Sequence, residues 1–268
     1  TYLPPKDEQG NPCKAIVVAP FRFLAEEEHE ESAPGKLSER YEFFVNKTLP
    51  SMRCSDVVRK ARRFQKAMKL KLVTGRGYFF FVDKANRRRP EMYKKHNLDV
   101  KSPQLCNEIM LHSSKLYTYT CVLSSMNLAR YNEWKDTDAV FWATVFLDCV
   151  AEEFIQKATS ETLDSDEREL LQRAVAATKA GRALGLGAAG FHTYLQQEMI
   201  AFESLEAHLK NIEMFKHLNV ESRKASEWMA KELGEPEWCV GFGLRNTHRI
   251  AIAPTKSSAN LMGGISEG

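Results

Sequence analysis

Gln104, Cys106 and Glu108 alternate along the stretch Gln104-Leu105-Cys106-Asn107-Glu108-Ile109, and Cys121 follows in Tyr119-Thr120-Cys121-Val122-Leu123-Ser124. In an extended segment, same-face side chains sit about 7 Å apart, so an amide, a thiol and a carboxylate would form one row. A thiol serves as nucleophile, reductant or hydrogen-atom donor, and a carboxylate serves as base. A second extended run ending at Cys121 would bring another thiol beside the first. Taken alone, Cys-x-Glu is better explained by a buried structural cysteine and a solvated or paired glutamate.

The elements around that stretch must hold it in place. With 268 residues, 43% of them hydrophobic, the chain is long enough for one large domain or two smaller ones. Its 38 basic and 35 acidic residues leave a formal charge of +3, which speaks against nucleic acid or an anionic membrane as partner. The longest apolar stretch, Ala139 to Val150, contains Asp148 and is too short for a span. No secretory signal opens the sequence. Six scattered cysteines without a CxxC argue against a zinc site or a disulfide scaffold, and a reducing cytoplasm fits them best. Thr1 in place of Met, and a chain that stops at Ser266-Glu267-Gly268, suggest a piece of a longer polypeptide.

In chain order, residues 1–40 form a poorly defined, turn-rich segment with a short strand expected near Ala15–Val18 and an acidic, solvated helix face at Glu26–Glu31. Helices are expected over Leu37–Leu49 and Val57–Leu72. The second is strongly basic around an apolar stripe of Val57, Ala61, Phe64 and Met68. Tyr78 to Val82 reads as a strand too apolar for a wet face, suited to a parallel sheet covered on both sides. Arg87-Arg88-Arg89-Pro90 reads as loop surface charge or a subunit contact. Asp136 to Ser160 is an amphipathic helix whose stripe of Phe141, Val145, Phe146, Cys149, Phe154 and Ile155 should pack in the core. Ser165 to Gly181 is a further helix with Asp164, Asp166 and Glu167 at its positive end. Gly185, Gly187 and Gly190 mimic GxGxxG, yet they follow a helix and are expected to lead into another, which argues against a dinucleotide site. His192 is expected as an ordinary helix histidine. Phe202 to Leu233 is helical, with a break near Asn219, and stops at Gly234.

Near the end, Ile250 to Ala253 reads as a short buried strand that opens at Pro254 into Thr255-Lys256-Ser257-Ser258. Hydroxyls and free amides between a strand and a helix start make a phosphate cradle. A plain helix N-cap by Thr255 or Ser257 explains the same residues equally well.

Three ordered motifs carry a family resemblance. Gln104-Leu105-Cys106-Asn107-Glu108-Ile109 resembles the Asn-Leu-Cys-x-Glu-Ile finger loop of ribonucleotide reductase large subunits. Cys121 with Leu123-Ser124 and Asn127-Leu128 resembles their redox-cysteine segment, Cys-x-Leu-Ser-x-x-Asn-Leu. Pro254 to Ser258 is similar to their substrate-diphosphate loop, and Thr74-Gly75 through Asn86 is similar to the segment that precedes the finger loop. The resemblance runs over about residues 35 to 268 and looks like the second half of a class I large subunit.

The resemblance implies an α/β fold: part of a ten-stranded α/β barrel with a central finger loop and packed helices, spanning 41–268 and incomplete at both ends. It implies reduction of ribonucleoside diphosphates to their 2′-deoxy forms for DNA precursor synthesis. Cys106 would become a thiyl radical and take the 3′ hydrogen inside a dry barrel. Glu108 would draw off the 3′-hydroxyl proton, and Cys121 with a second cysteine would supply two reducing equivalents. Neither Cys13 nor Cys54 sits in the context expected of that second cysteine. Gln104 stands where the family has Asn; both offer one carbonyl and one NH₂, with an extra methylene here. Ser102, Pro254, Thr255, Lys256, Ser257 and Ser258 would bind substrate, and no metal site is implied in this chain.

The radical would come from a metal-containing small subunit, the electrons from a thioredoxin- or glutaredoxin-type reductant, and ATP and other allosteric effectors would bind elsewhere in a full chain. A homodimer of large subunits is implied. The radical-relay tyrosine pair and the cysteine tail would lie beyond Gly268. By itself the chain would be inactive and would expose apolar surface. Two other readings remain open at this point: a cobalamin-dependent reductase sharing the finger loop, and a degenerate copy kept as an interaction subunit.

Overall fold

The computed structural model describes residues 16–18, 54–75 and 78–268, which fall into two compact units divided between Asp83 and Lys84. The expectations for Glu26–Glu31, for a helix at Leu37–Leu49, and for Cys13 lie outside the described residues.

In the first unit, β1 (Ile16–Val18) pairs antiparallel with β2 (Tyr78–Phe80), Ile16 opposite Phe80 and Val18 opposite Tyr78. Helix α1 (Cys54–Thr74) lays Phe64 against Phe79 at 5.9 Å and ends at Gly75, whose left-handed φ of 66° closes the last turn through Gly75 N to Lys71 O. The expected parallel, doubly covered strand is corrected here. The apolar run stops pairing after Phe80 because Val82 already begins α2 (Val82–Arg87), and a short antiparallel pair needs only one covered face. Phe80 is accordingly buried and Tyr78 exposed.

The second unit is built on a parallel sheet. Helix α3 (Glu91–Lys95) precedes a long irregular segment that leads into β3 (Leu123–Asn127). Strand β4 (Gly185–Ala189) lies parallel to β3, with Leu123 opposite Gly185 and Asn127 opposite Ala189, and Ile250 bridges Leu186 in parallel on the other side. Between β3 and β4 come a 3-10 turn (Leu128–Arg130), α4 (Tyr131–Trp134), α5 (Ala139–Ala158) and α6 (Ser165–Gly181). Next come α7 (Phe191–Gln197), α8 (Leu205–Leu233), a 3-10 turn (Glu237–Cys239) and, after Ile250, α9 (Lys256–Leu261). Parallel strands need such crossovers, and every residue of β4 is buried, as a central parallel strand requires. The α/β class expected from the sequence is what forms.

Strand β4 corrects another expectation, because the glycines at 185 and 187 make a strand and no helix. A Cβ on Gly185 would strike the Leu123 side chain, and one on Gly187 would strike the Ala251 carbonyl. Small residues are needed there for strand-to-strand approach. Gly190 then turns the chain into α7 with φ at 85°.

Helix α5 buries Val140, Thr144, Leu147, Asp148, Ala151, Ile155 and Ala158. Of the predicted stripe, Ile155 alone is buried, while Phe146 and Cys149 are exposed. The true face uses smaller residues about one position round the helix, because α8 packs close. Trp142 and Phe146 stay exposed, and Phe141 and Trp142 meet Trp228 of α8 at 5.7 and 6.2 Å. Helix α8 runs unbroken through Asn219, whose backbone and side-chain oxygens both accept from Arg249. Leu205, Leu209, Ile212 and Val220 are exposed on the side of α8 opposite the buried Met214, Leu218 and Ala225.

One buried ionic cluster ties α5, α6 and the chain before Ile250 together. Arg182 follows α6 with a left-handed φ of 42° and grips Asp148 with two nitrogens, at 2.9 and 3.0 Å. Arg245 and Asn246 each donate to the same carboxylate at 2.9 Å.

Candidate functional site

The segment 104–109 is a closed turn, which corrects the row of alternating side chains expected from an extended strand. Asn107 N donates to Gln104 O at 3.1 Å, Gln104 N to Ile109 O at 3.4 Å, and Ile109 N to the Gln104 side-chain oxygen at 2.9 Å. Asn107 supplies the left-handed residue this closure requires, with φ at 66°. The extra methylene of Gln104 thus lets its carbonyl brace the loop from inside.

The stem is anchored by apolar contacts. Ile109 and Leu111 are buried against Ala251, with Tyr119, Leu123 and Ala183 around them. His112 fixes the following backbone through Nδ1 to Asp99 O at 2.8 Å. The tip is open: Leu105 is 83% exposed and Cys106 is exposed, so in this chain the thiol does not lie in the dry interior the sequence suggested.

Cys121 stands just before β3 on a stretch held to α6. Thr118 N donates to Arg173 O at 3.0 Å, Thr120 and Thr178 hydroxyls meet at 3.2 Å, and Gly185 N donates to Val122 O at 2.9 Å. The Cys121 thiol is pushed up from its ordinary value, first by partial burial, then by the Glu108 carboxylate and by Cys106. The cluster of Ile109, Leu111 and Ala251 takes in Tyr119 and Leu123, on either side of Cys121, and so brings this stretch to the stem of the turn. Tyr119 is pushed up as well, by burial and by Cys121.

Three enclosed polar atoms in the turn have no hydrogen-bond partner among the described residues: Gln104 Nε2, Asn107 Oδ1 and Glu108 Oε2. Buried polar atoms are nearly always paired, and this one turn leaves one donor and two acceptors without partners. Asn107 was not among the residues picked out from the sequence. Its signals there were modest: a position between the thiol and the carboxylate, and a residue type that tolerates left-handed backbone.

The chain after Ile250 is tied to the same region, since the stem of the turn packs on Ala251. Thr255 is buried, makes no side-chain cap to α9, and accepts from Gly268 N at 2.8 Å. Pro254, Lys256, Ser257 and Ser258 are exposed, and Ser102 is half-buried. Ser266 and Thr193 bond reciprocally, at 2.8 and 3.2 Å, which holds the last residues against the start of α7. His192 is exposed and meets Phe202 edge-on at 5.7 Å, as an ordinary helix histidine does.

Among the described residues, no group of three or more His, Cys, Asp or Glu side chains is arranged to hold a metal ion, and no helix is long and apolar enough to cross a membrane. Cys106, Cys121, Cys149 and Cys239 are free thiols.

Comparison with known proteins gives one consistent answer. The profile of the family described as "Ribonucleotide reductase, barrel domain" matches residues 21–240. A Frog virus 3 (isolate Goorha) relative is 36% identical over 200 residues, covering 75% of this chain and 34% of its own length. The ribonucleoside-diphosphate reductase large subunit of Invertebrate iridescent virus 3 is 31% identical over 212 residues, covering 79% of this chain and 32% of its own length. Among solved structures, the Actinobacillus ureae class Id ribonucleotide reductase alpha subunit superposes with a TM-score of 0.72 at 45% identity, over 78% of this chain and 39% of that one. The chain therefore spans about a third of the length of these curated relatives.

Proposed function

The chain belongs to the ribonucleotide reductase barrel-domain family, and from that premise we propose that it is part of the catalytic barrel of a class I ribonucleoside-diphosphate reductase large subunit. The observation that supports this reading is the packing of the stem of the turn that bears Cys106 and Glu108 with Tyr119 and Leu123, on either side of Cys121, beside three polar atoms of the turn that lack partners. A thiol, a carboxylate and a second thiol are the set that a radical reduction at a ribose needs.

In this proposal Cys106, as a thiyl radical, takes the 3′ hydrogen of a ribonucleoside diphosphate. Glu108 accepts the 3′-hydroxyl proton, and the 2′-hydroxyl leaves as water. Two electrons and two protons come from Cys121 and a second cysteine, which end as a disulfide, and Cys106 returns the 3′ hydrogen. Gln104 Nε2 is the open donor of the turn and faces the ribose. Thr255 to Ser258, with Pro254 setting the bend and Ser102 nearby, hold the diphosphate through hydroxyls, Lys256 and backbone N–H groups.

The radical is made by a separate metal-containing small subunit, and the disulfide is reset by a thioredoxin- or glutaredoxin-type protein. The large subunit pairs with a second copy, binds its effectors outside these residues and works in the cytoplasm. Exclusion of water from a site whose tip is open here then falls to polypeptide beyond the described residues.

The test uses the complete polypeptide with its radical-generating subunit and dithiothreitol, following cytidine diphosphate to deoxycytidine diphosphate. Cys106→Ser reduces turnover to background while leaving substrate binding near the parent value. Turnover that persists in Cys106→Ser, or a folded parent with none, overturns the proposal.

A further inference from the structure

Asn107 lies between the two residues given chemical roles, yet nothing so far uses its side chain. Two observations about it point in different directions. Its left-handed φ of 66° could be met by glycine at less cost, and that alone would make it a backbone device. Its Oδ1, however, is enclosed and unpartnered among the described residues. A carbonyl kept out of water with no donor destabilises the fold, and glycine would avoid that as well. A residue carrying both disadvantages is explained by what the oxygen meets when the site is filled.

The chemistry of the neighbouring amide says what that is. Gln104 and Asn107 are the first and fourth residues of a hydrogen-bonded turn, whose Cα atoms lie within about 7 Å of each other. The Gln104 side-chain oxygen already accepts from Ile109 N at 2.9 Å, which leaves its NH₂ as the group of Gln104 without a partner. A hydroxyl both donates and accepts, and a lone donor satisfies half of it. The family's Asn at the position of Gln104 carries both halves in one amide. Here the acceptor half is free on Asn107.

We infer that Asn107 is a second substrate-binding amide, whose Oδ1 accepts a hydrogen bond from a ribose hydroxyl of the nucleoside diphosphate while Gln104 Nε2 donates to that hydroxyl's oxygen. This rests on the reductase reading above and adds a specificity residue to it. A sugar lacking the hydroxyl leaves two buried amide groups unpaired, which is how polar sites reject deoxy analogues.

The experiment measures calorimetric binding of cytidine diphosphate and its 2′-deoxy and 3′-deoxy forms to the complete polypeptide, alongside turnover with the radical-generating subunit. Asn107→Gly keeps the left-handed backbone and removes the oxygen, and Asn107→Asp keeps an acceptor. Asn107→Gly weakens cytidine diphosphate binding about tenfold and erases its preference over one deoxy form. Asn107→Asp retains that preference. If Asn107→Gly binds all three ligands as the parent does, with parent turnover intact, the inference is overturned and the reductase reading stands. If the parent itself neither turns over nor binds cytidine diphosphate, the reductase reading fails first. A purely structural role for Asn107 would move the melting midpoint of Asn107→Gly and leave the discrimination among the three ligands unchanged.

Discussion

The two densest polar clusters of the second unit are opposites. Around Asp148, four donors from Arg182, Arg245 and Asn246 converge on one buried carboxylate. Arg182 adds Glu152 at 2.8 Å, and Arg245 adds the carbonyls of Leu233 and Gly234 at the end of α8. The cluster leaves one atom over, Asn246 Oδ1. In the turn at 104–109 the inward atoms are spent on bracing the loop, and a donor and two acceptors remain open. Saturated polar groups fix helices and strands relative to one another. Open ones, held by a closed turn, are the groups that the proposed site would offer to a substrate. The difference separates scaffold from site without any appeal to where a residue falls in the sequence.

The comparison is broken most directly at Asp148. Asp148→Ala leaves two guanidinium groups facing one another in the interior, and removal of one partner of a buried pair costs about 3–5 kcal/mol. Denaturant unfolding of the complete polypeptide should show that loss, whereas Glu108→Gln, which removes a charge from the open turn, should shift stability by roughly 1 kcal/mol or less. Equal losses in the two variants would erase the distinction between scaffold and site.

A smaller effect sharpens it through pH. His248 sits in the segment that carries the chain from the clamp to Ile250, its ring edge-on to Tyr93 at 5.0 Å and its Nδ1 3.1 Å from the Thr247 hydroxyl. The imidazole is enclosed even though the residue keeps some surface, and burial lowers it to about 4. The unfolded chain, with an ordinary histidine near 6.5, therefore binds more protons between those two values. Stability is full above the unfolded value and falls as the pH drops from about 6.5 towards 4, by on the order of 2–3 kcal/mol. Asp148 does not add to that slope. Burial alone would raise its carboxyl, but hydrogen bonds and charge from Arg182 and Arg245 hold it below the usual range. Its contribution is present above the unfolded value near about 3.9 and is lost as the pH falls through the lower folded value. Unfolding midpoints between pH 7.5 and 4.5 for the parent and His248→Gln separate the two, and an unchanged slope in the variant would remove His248 from the account.

How much of this was legible in the sequence depended on whether a feature was local. The helix at Ser165–Gly181 was readable to the residue, because Asp164 and Glu167 form a reciprocal capping box that needs no tertiary partner. The thiols and the carboxylate were readable as chemistry. Their arrangement was not, since the turn at 104–109 is closed by a glutamine side chain reaching five residues on, which alternation does not anticipate. Strand β4 was hidden because its composition of glycine and alanine has no strand propensity of its own. It is a strand because β3 and the Ile250 segment flank it and leave no room for a Cβ at Gly185 or Gly187. The buried face of α5 was misread for a related reason: the large residues looked like the core, while close packing against α8 selected the small ones.

Cysteine reactivity gives the finest test, because the thiols divide between scaffold and site. Cys239, the last residue of the 3-10 turn, is fully buried, and burial pushes it up to about 12, so it should resist alkylation in the folded protein. Cys106, Cys121 and Cys149 are exposed and should react. Within that group the rates are set by how readily each thiolate forms. Cys121 is held back by partial burial, by the Glu108 carboxylate and by Cys106, while Cys149 is exposed on α5. Iodoacetamide labelling at pH 8, read by mass spectrometry, should find Cys121 slower than Cys149. Glu108→Gln, by removing one of the charges that oppose the thiolate, should speed Cys121 by about two- to fivefold and leave Cys149 unchanged. A Cys121 rate indifferent to Glu108 would mean that the carboxylate and the second thiol do not share a site, and the contrast between a saturated scaffold and an open turn would lose the coupling on which its functional half depends.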